Sequence, residues 1–321
     1  MADTYKIGQN VSARDIIGDT LCKMAAENEA VWALTSDCGA NLQNFAKEFP
    51  GRYVDTGIAE QSAAGIAAGL ALDGAIPHIM GMAPFVTMRC FEQNRTDIGY
   101  QNLPVRIIAS CGGMTSMGGA THYAMEDISI MRSIANMSVV SISDPLMAGE
   151  VIRLGMSHKG PIYVRLALGK SDPVIYQPGS QTFKLGKGLV IREGNDAAIL
   201  THGAMVNHAM NVSDTLKADG INVRVADMLS LKPVDEELIL KCIKETGRIL
   251  IWEDHFLTGG LGSITAEVMA KNSSFPAALR QIGIPELYPG FGSDKDLYGK
   301  YAMDETAAIA AIKEMLKEVK Q

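Results

Sequence analysis

A basic excess, long apolar runs and paired cysteines are all missing from this chain, and each absence removes a class of protein. Lys and Arg number 29 against 36 Asp and Glu, a formal charge of −7, which argues against a dedicated nucleic-acid binder. No stretch approaches about 18 uninterrupted apolar residues, which argues against a helical membrane span. The opening MADTYKIGQN lacks the apolar core of a secretion signal, and a cytoplasmic location is the expectation. The five cysteines, Cys22, Cys38, Cys90, Cys111 and Cys242, are an odd number and never form a CxxC pair. A disulfide framework, a zinc knuckle and a cysteine-ligated iron–sulfur cluster are therefore poorly supported, and reduced, mostly buried thiols are expected. No internal repeat of about 20 to 50 residues is visible, which removes solenoids and propellers.

What remains is a globular composition, with 47% apolar and 20% charged residues over 321 positions. At about 150 residues per domain that length predicts two domains. Short runs such as VWALTSD (31–37), RYVDTG (52–57), AIPHIM (75–80), VRIIASC (105–111), MSVVSIS (137–143) and PIYVRLA (161–167) are apolar on both faces. That is the habit of parallel strands covered by helices. Longer helical stretches separate them, so right-handed βαβ crossovers and an α/β, doubly wound, mostly parallel sheet are expected. The pattern lapses into SDPVIYQPGSQTFKLGK, which reads as an interdomain connection, and a second series follows: GLVIREG, AAILTHG, NVRVADM, RILIWED and ALRQIGI. The expected division is a domain over 1–172, a linker over 173–187 and a second doubly wound domain over 188–321. The last helix should start at Asp304, a good N-cap, with Ala308, Ile309, Ile312, Met315, Leu316 and Val319 along one face.

The segment DTGIAEQSAAGIAAGLALDG (55–74) is the most informative. Glu60 stands just after a strand, in the opening turn of a helix otherwise built from Ala, Gly, Ile and Leu. So few polar residues imply a buried helix, and small side chains allow another backbone to approach closely. A carboxylate there either complements the helix N-terminus or meets a buried partner.

DTGIAEQ followed by a small-residue helix resembles the pyrimidine-binding domain of the transketolase family of thiamine-diphosphate enzymes. The resemblance runs almost end to end. SARDIIGDTL (12–21) is similar to the family's opening helix, FVTMRCFEQNR (85–95) to its Phe-containing helix, and ATHYAMEDISIMRSIANMSVVSISD (120–144) to its substrate-side loop and following helix. LKPVDEELI, WEDH (252–255) and GGLGS (259–263) are similar to its C-terminal domain.

The resemblance implies roles for particular residues. Glu60 matches the glutamate that contacts N1′ of the cofactor's aminopyrimidine ring and favours the tautomer that removes a proton from the thiazolium; a low-dielectric site strengthens such a hydrogen bond. Phe85 matches the ring stacked on the aminopyrimidine, although a core Phe on an amphipathic helix has the same pattern. Asp37 matches an Asp beside the cofactor at the subunit interface, where a strand-end Asp is also a common loop starter. His122 matches a histidine facing the substrate hydroxyls and carbonyl. Arg14 and Arg165 match arginines used for the phosphate of sugar phosphates, the alternative for each being an internal salt bridge. Two departures stand out: Gly118, in Ser116-Met117-Gly118-Gly119, replaces the usual substrate-contacting Asp, and Cys111 replaces a second substrate histidine. Both put the identity of the sugar in doubt.

The family's other half, a domain with a Gly-Asp-Gly motif and a later Asn that hold the diphosphate through a metal, has no counterpart here. The chain therefore resembles the C-terminal subunit of a split, two-chain transketolase. The resemblance implies thiamine diphosphate and a divalent ion (Mg2+ or Ca2+) held mainly by an N-terminal partner subunit, an α2β2 heterotetramer, and sugar or sugar-phosphate substrates. The alternatives are a fragment of an enzyme like 1-deoxyxylulose-5-phosphate synthase or a 2-oxo-acid dehydrogenase, or a catalytically inactive regulatory or scaffolding half.

Overall fold

The computed structural model describes residues 5–116, 118–167, 169–177, 179–272 and 277–317. The apolar runs of the first half become the strands Val31–Thr35, Tyr53–Asp55, Ile76–Met82, Arg106–Ser110, Ser138–Ser141 and Ile162–Arg165. All six are parallel, and from one edge they run Ser138–Ser141, Ile162–Arg165, Arg106–Ser110, Ile76–Met82, Val31–Thr35, Tyr53–Asp55. Consecutive residues of a strand serve opposite cores, which is why the runs show no polar alternation. Ile107 and Ala109 pack with the helix Glu60–Leu72, whereas Ile108 faces the helices Ala13–Glu27 and Pro145–Gly155. A fully buried Ile or Leu contributes roughly 1.5–3 kcal/mol, so both cores are needed to hold the sheet between its helices.

The second half forms a five-stranded sheet in the order Ala278–Ile284, Arg248–Phe256, Ala197–Thr201, Val223–Asp227, Leu189–Arg192, parallel except for the last strand. Its closing helix, Glu305–Lys317, is capped as expected: Oδ1 of Asp304 accepts the Ala307 N–H at 2.9 Å. Ala308, Ile312 and Met315 are fully buried and Ile309 and Leu316 half-buried, while Val319 lies outside the described residues.

Two features differ from a simple succession of domains. The short strand Ser230–Lys232, from the second half, adds antiparallel to Ser138–Ser141 and extends the first sheet to seven strands. The connection after Ser171 is packed rather than loose, with Val174, Ile175, Tyr176 and Phe183 buried and Asp172–Pro173 paired to Asn10–Val11. Asp144 explains part of this attachment. One carboxylate oxygen caps the helix Pro145–Gly155 through the Leu146 and Met147 N–H groups, and the other accepts from Ile175 and Tyr176.

Asp227, at the end of its strand, joins both halves and the connection: it accepts hydrogen bonds from the hydroxyls of Ser143 and Tyr176. Burial pushes its carboxyl up to about 7 from an ordinary 3.8, against the pull of the two hydroxyls. The folded chain therefore keeps a proton that the unfolded chain releases across that window, so this group's contribution to stability falls as pH rises from about 4 to about 7 and is flat above. Urea midpoints measured from pH 4 to 8 should show the wild type losing ground to Asp227→Asn across the window. A pH-independent difference between the two would contradict the assignment.

Candidate active site

In an open parallel sheet, ligands bind beyond the carboxyl ends of the strands, because helix starts and loops converge there. The residues singled out above sit at those ends. Asp37 follows Val31–Thr35, Glu60 follows Tyr53–Asp55, Phe85 follows Ile76–Met82 and Cys111 follows Arg106–Ser110. Asp37 has φ +55, which a short polar side chain tolerates, and its N–H donates to Asp55 at 3.2 Å.

Glu60 opens the helix Glu60–Leu72 and is 4% exposed, so what it can reach is set by its immediate neighbours. Its Oε2 lies 2.7 Å from Nη1 of Arg89. The guanidinium carbon of Arg89 in turn lies 4.4 Å from the centroid of the Phe85 ring. The imidazole of His122 meets the same ring edge to face, with centroids 5.2 Å apart and planes at 79°. Glu60, Phe85 and His122 are thus brought together, with Arg89 between acid and ring. Phe85–Arg89 is a π-helical turn, a distortion that often marks functional positions because the widened turn re-aims side chains.

Beside this group is an open cleft of about 670 Å³ lined by Arg14, Asp37, Cys111, Gly118, His122 and Lys170, among others. Cys38 also borders it; burial raises its thiol pKa, and the charges of Asp37, Arg14 and Glu60 all act on it. Arg14 is half-buried, and its Nε has no hydrogen-bond partner among the described residues. The structure gives a reason for Gly118: a Cβ there would come within 2.4 Å of His122 Cγ, so only glycine lets that imidazole lie across the loop. Met117 lies outside the described residues. Cys111 is buried, with φ +65, an unusual conformation for a side-chain-bearing residue, and burial raises its thiol pKa.

Arg165 departs from the expectation. It does not face the cleft but is 2% exposed, with Nε 2.8 Å from Oδ2 of Asp127 and Nη2 donating to the Asp254 carbonyl at 2.8 Å. Burial opposes its charge, yet Asp127 and Asp254 outweigh that and hold the guanidinium above its ordinary value. Burial pushes the Asp254 carboxyl up to about 6, although Arg165 and the Tyr298 hydroxyl at 2.8 Å pull it down. Gly112 and Gly113 make room for this cluster: a Cβ at 112 would reach within 2.7 Å of Arg165, and one at 113 would collide with the Asp254 carboxylate. A strand-borne arginine with buried acids in reach is an internal fastener between the two halves.

Lys170 and Arg89 join the site without having been singled out from the sequence. Lys170 follows a strand end in Gly-Lys-Ser, and Arg89 stands four residues after Phe85, one turn along the same face; either spacing could have flagged them. Among the described residues no group of three His, Cys, Asp or Glu is placed to hold a metal ion. Nor is any helix there long and apolar enough to cross a membrane.

Comparison with known proteins agrees with the two-part α/β fold. Residues 9–170 match the family model "Transketolase, pyrimidine binding domain", and residues 186–307 match "Transketolase, C-terminal domain". One of the subunits of the apulose-4-phosphate transketolase of Phocaeicola vulgatus is 35% identical over 96% of this chain and 98% of its own length. A 6-deoxy-6-sulfo-D-fructose transketolase subunit from a Clostridium species is 32% identical over 94% of each chain. A solved structure described as a split gene transketolase, inactive beta4 tetramer, superposes with a TM-score of 0.86 at 34% identity, covering 96% of this chain and 99% of that one.

Proposed function

The chain belongs to the transketolase family, and from that premise we propose that it is the C-terminal subunit of a two-chain, thiamine-diphosphate-dependent transferase moving a two-carbon ketol unit from an anionic ketose to an aldose. The observation that carries this reading is Glu60, a buried carboxylate at the head of a small-residue helix, linked through Arg89 to the Phe85 ring, which His122 meets at the edge of an open cleft. The residues fit the aminopyrimidine end of the cofactor: the acid and aromatic face already hold a flat, N–H-bearing group, the Arg89 guanidinium.

When bound, thiamine diphosphate supplies a thiazolium carbon able to add to a ketose carbonyl. Glu60 holds a proton at the ring nitrogen N1′, in a site dry enough to strengthen that hydrogen bond. Phe85 would hold the ring by offering it an aromatic face. Asp37 borders the cofactor from the adjoining strand end. His122 reaches the substrate carbonyl and hydroxyls, and Arg14 with Lys170 offers positive charge to the substrate's anionic end. The diphosphate and a Mg2+ or Ca2+ ion fall to the N-terminal partner subunit in an α2β2 assembly.

Two relatives named for a sugar phosphate and a sulfosugar support an anionic ketose, and the neighbour described as an inactive tetramer of one chain type supports the need for a partner. A candidate contact face for that partner is the outer side of the Glu60–Leu72 helix and the turn before it, where Ile66, Leu72 and Ile58 are exposed at 40%, 63% and 75%.

The test is reconstitution with a chain carrying the Gly-Asp-Gly domain. Ketol transfer should require both chains, thiamine diphosphate and a ketose donor. His122→Ala should lower kcat/KM for that ketose about 100-fold, with little change in cofactor affinity. Turnover of pyruvate with an aldose phosphate and no ketose would instead indicate chemistry like that of 1-deoxyxylulose-5-phosphate synthase.

A further inference from the structure

Arg89 has no role in the proposed function, yet it touches two of its principal residues. Its guanidinium takes both contacts assigned above to the cofactor ring: a 2.7 Å ion pair with Glu60 and a 4.4 Å stack over Phe85. A guanidinium and an aminopyrimidine share the properties that matter here, being flat, delocalised and edged with nitrogen. Glu60 and Phe85 cannot serve both at once. The side chain of Arg89 is 41% exposed and that of Glu60 4%, so the cation can withdraw into water while the acid cannot. Among the described residues Glu60 is the one carboxylate in ion-pair range of Arg89.

We propose that Arg89 is a built-in placeholder for the aminopyrimidine of thiamine diphosphate: it pairs with Glu60 and covers Phe85 until the ring displaces it towards solvent. This rests on the reading of Glu60 and Phe85 as ring contacts. The physical need is clear, because a carboxylate this buried is costly when unpaired, and a cation from the same small structural unit as the stacking ring satisfies it reversibly. Arg89 thereby lowers apparent cofactor affinity by the fraction of time it holds the site.

The test uses the assembled two-chain complex, titrated calorimetrically with thiamine diphosphate and Mg2+. Arg89→Leu removes the competitor and should tighten binding about five-fold, the scale of a half-exposed ion pair and cation–π contact together. Its thermal midpoint without cofactor should fall, and with saturating cofactor should match the wild type. Arg89→Lys keeps the charge but not the flat stack and should bind with intermediate affinity. In a Glu60→Gln background, Arg89→Leu should change cofactor affinity far less. Weaker or unchanged binding by Arg89→Leu would overturn the proposal, weaker binding meaning that the guanidinium contacts the bound cofactor. The underlying reading is checked separately: Glu60→Gln and Phe85→Leu should each weaken binding, and if neither does, the ring contacts are misassigned and the placeholder falls with them.

Discussion

Glu60→Ala, in the complex with the diphosphate-binding chain, is expected to lose about 10²- to 10⁴-fold of thiamine-dependent ketol transfer while the assembly keeps its mass by size exclusion. The size of the effect follows from where the carboxylate sits. It is 4% exposed at the first position of a helix whose buried residues are otherwise alanines, so no neighbouring acid can replace it at the ring nitrogen. A solvent-exposed base would be partly replaced by water, whereas a buried one is not. The substitution also deletes an ion pair, but the freed Arg89 can turn to solvent, so the folding cost should be small. Full activity in the variant would remove the basis for the functional reading. Loss of activity together with dissociation of the complex would instead make Glu60 an interface residue.

Arg165→Leu is expected to cost about 3–5 kcal/mol of folding stability in equilibrium denaturation of the isolated chain. Its guanidinium bridges Asp127 to the Asp254 carbonyl, and removing it leaves one buried acid beside another. Tyr163 also donates to Oδ2 of Asp127 at 2.6 Å, a contact too weak to neutralise a charge. Double substitution of Arg165 and Asp127 by apolar residues should recover much of the loss, because it removes both desolvated charges. A raised KM for an anionic ketose at unchanged stability would instead restore Arg165 to the substrate site.

The fates of the two arginines show where local reading stops. Arg14 and Arg165 carried the same expectation from the sequence, yet one lines the cleft while the other is fully enclosed. Asp127, the acid that decides between them, lies 38 positions from Arg165 and carries no mark in the sequence of being its partner. Glu60 was legible because composition isolates it: one acid at the head of a run of small apolar residues needs an explanation. His122 was legible from its motif, but the reason its loop has glycine at 118 became visible only as a 2.4 Å approach to that imidazole. Arg89 stood unremarked inside a legible motif, because it is a π-helical turn that brings it over Phe85 and onto Glu60, 29 positions away.

Local composition and pattern determined the two mostly parallel α/β halves and the helix start at Asp304, because they report on the nearest neighbours along the chain, whereas the alanine helix expected to be buried keeps one side exposed at Ile66 and Leu72. Tertiary structure decided which charges meet, that a strand from the second half completes the first sheet, and that the connection between halves is packed rather than free. Those outcomes depend on contacts between residues far apart in sequence, and they are selected by desolvation: a buried charge must find a partner wherever the fold places one.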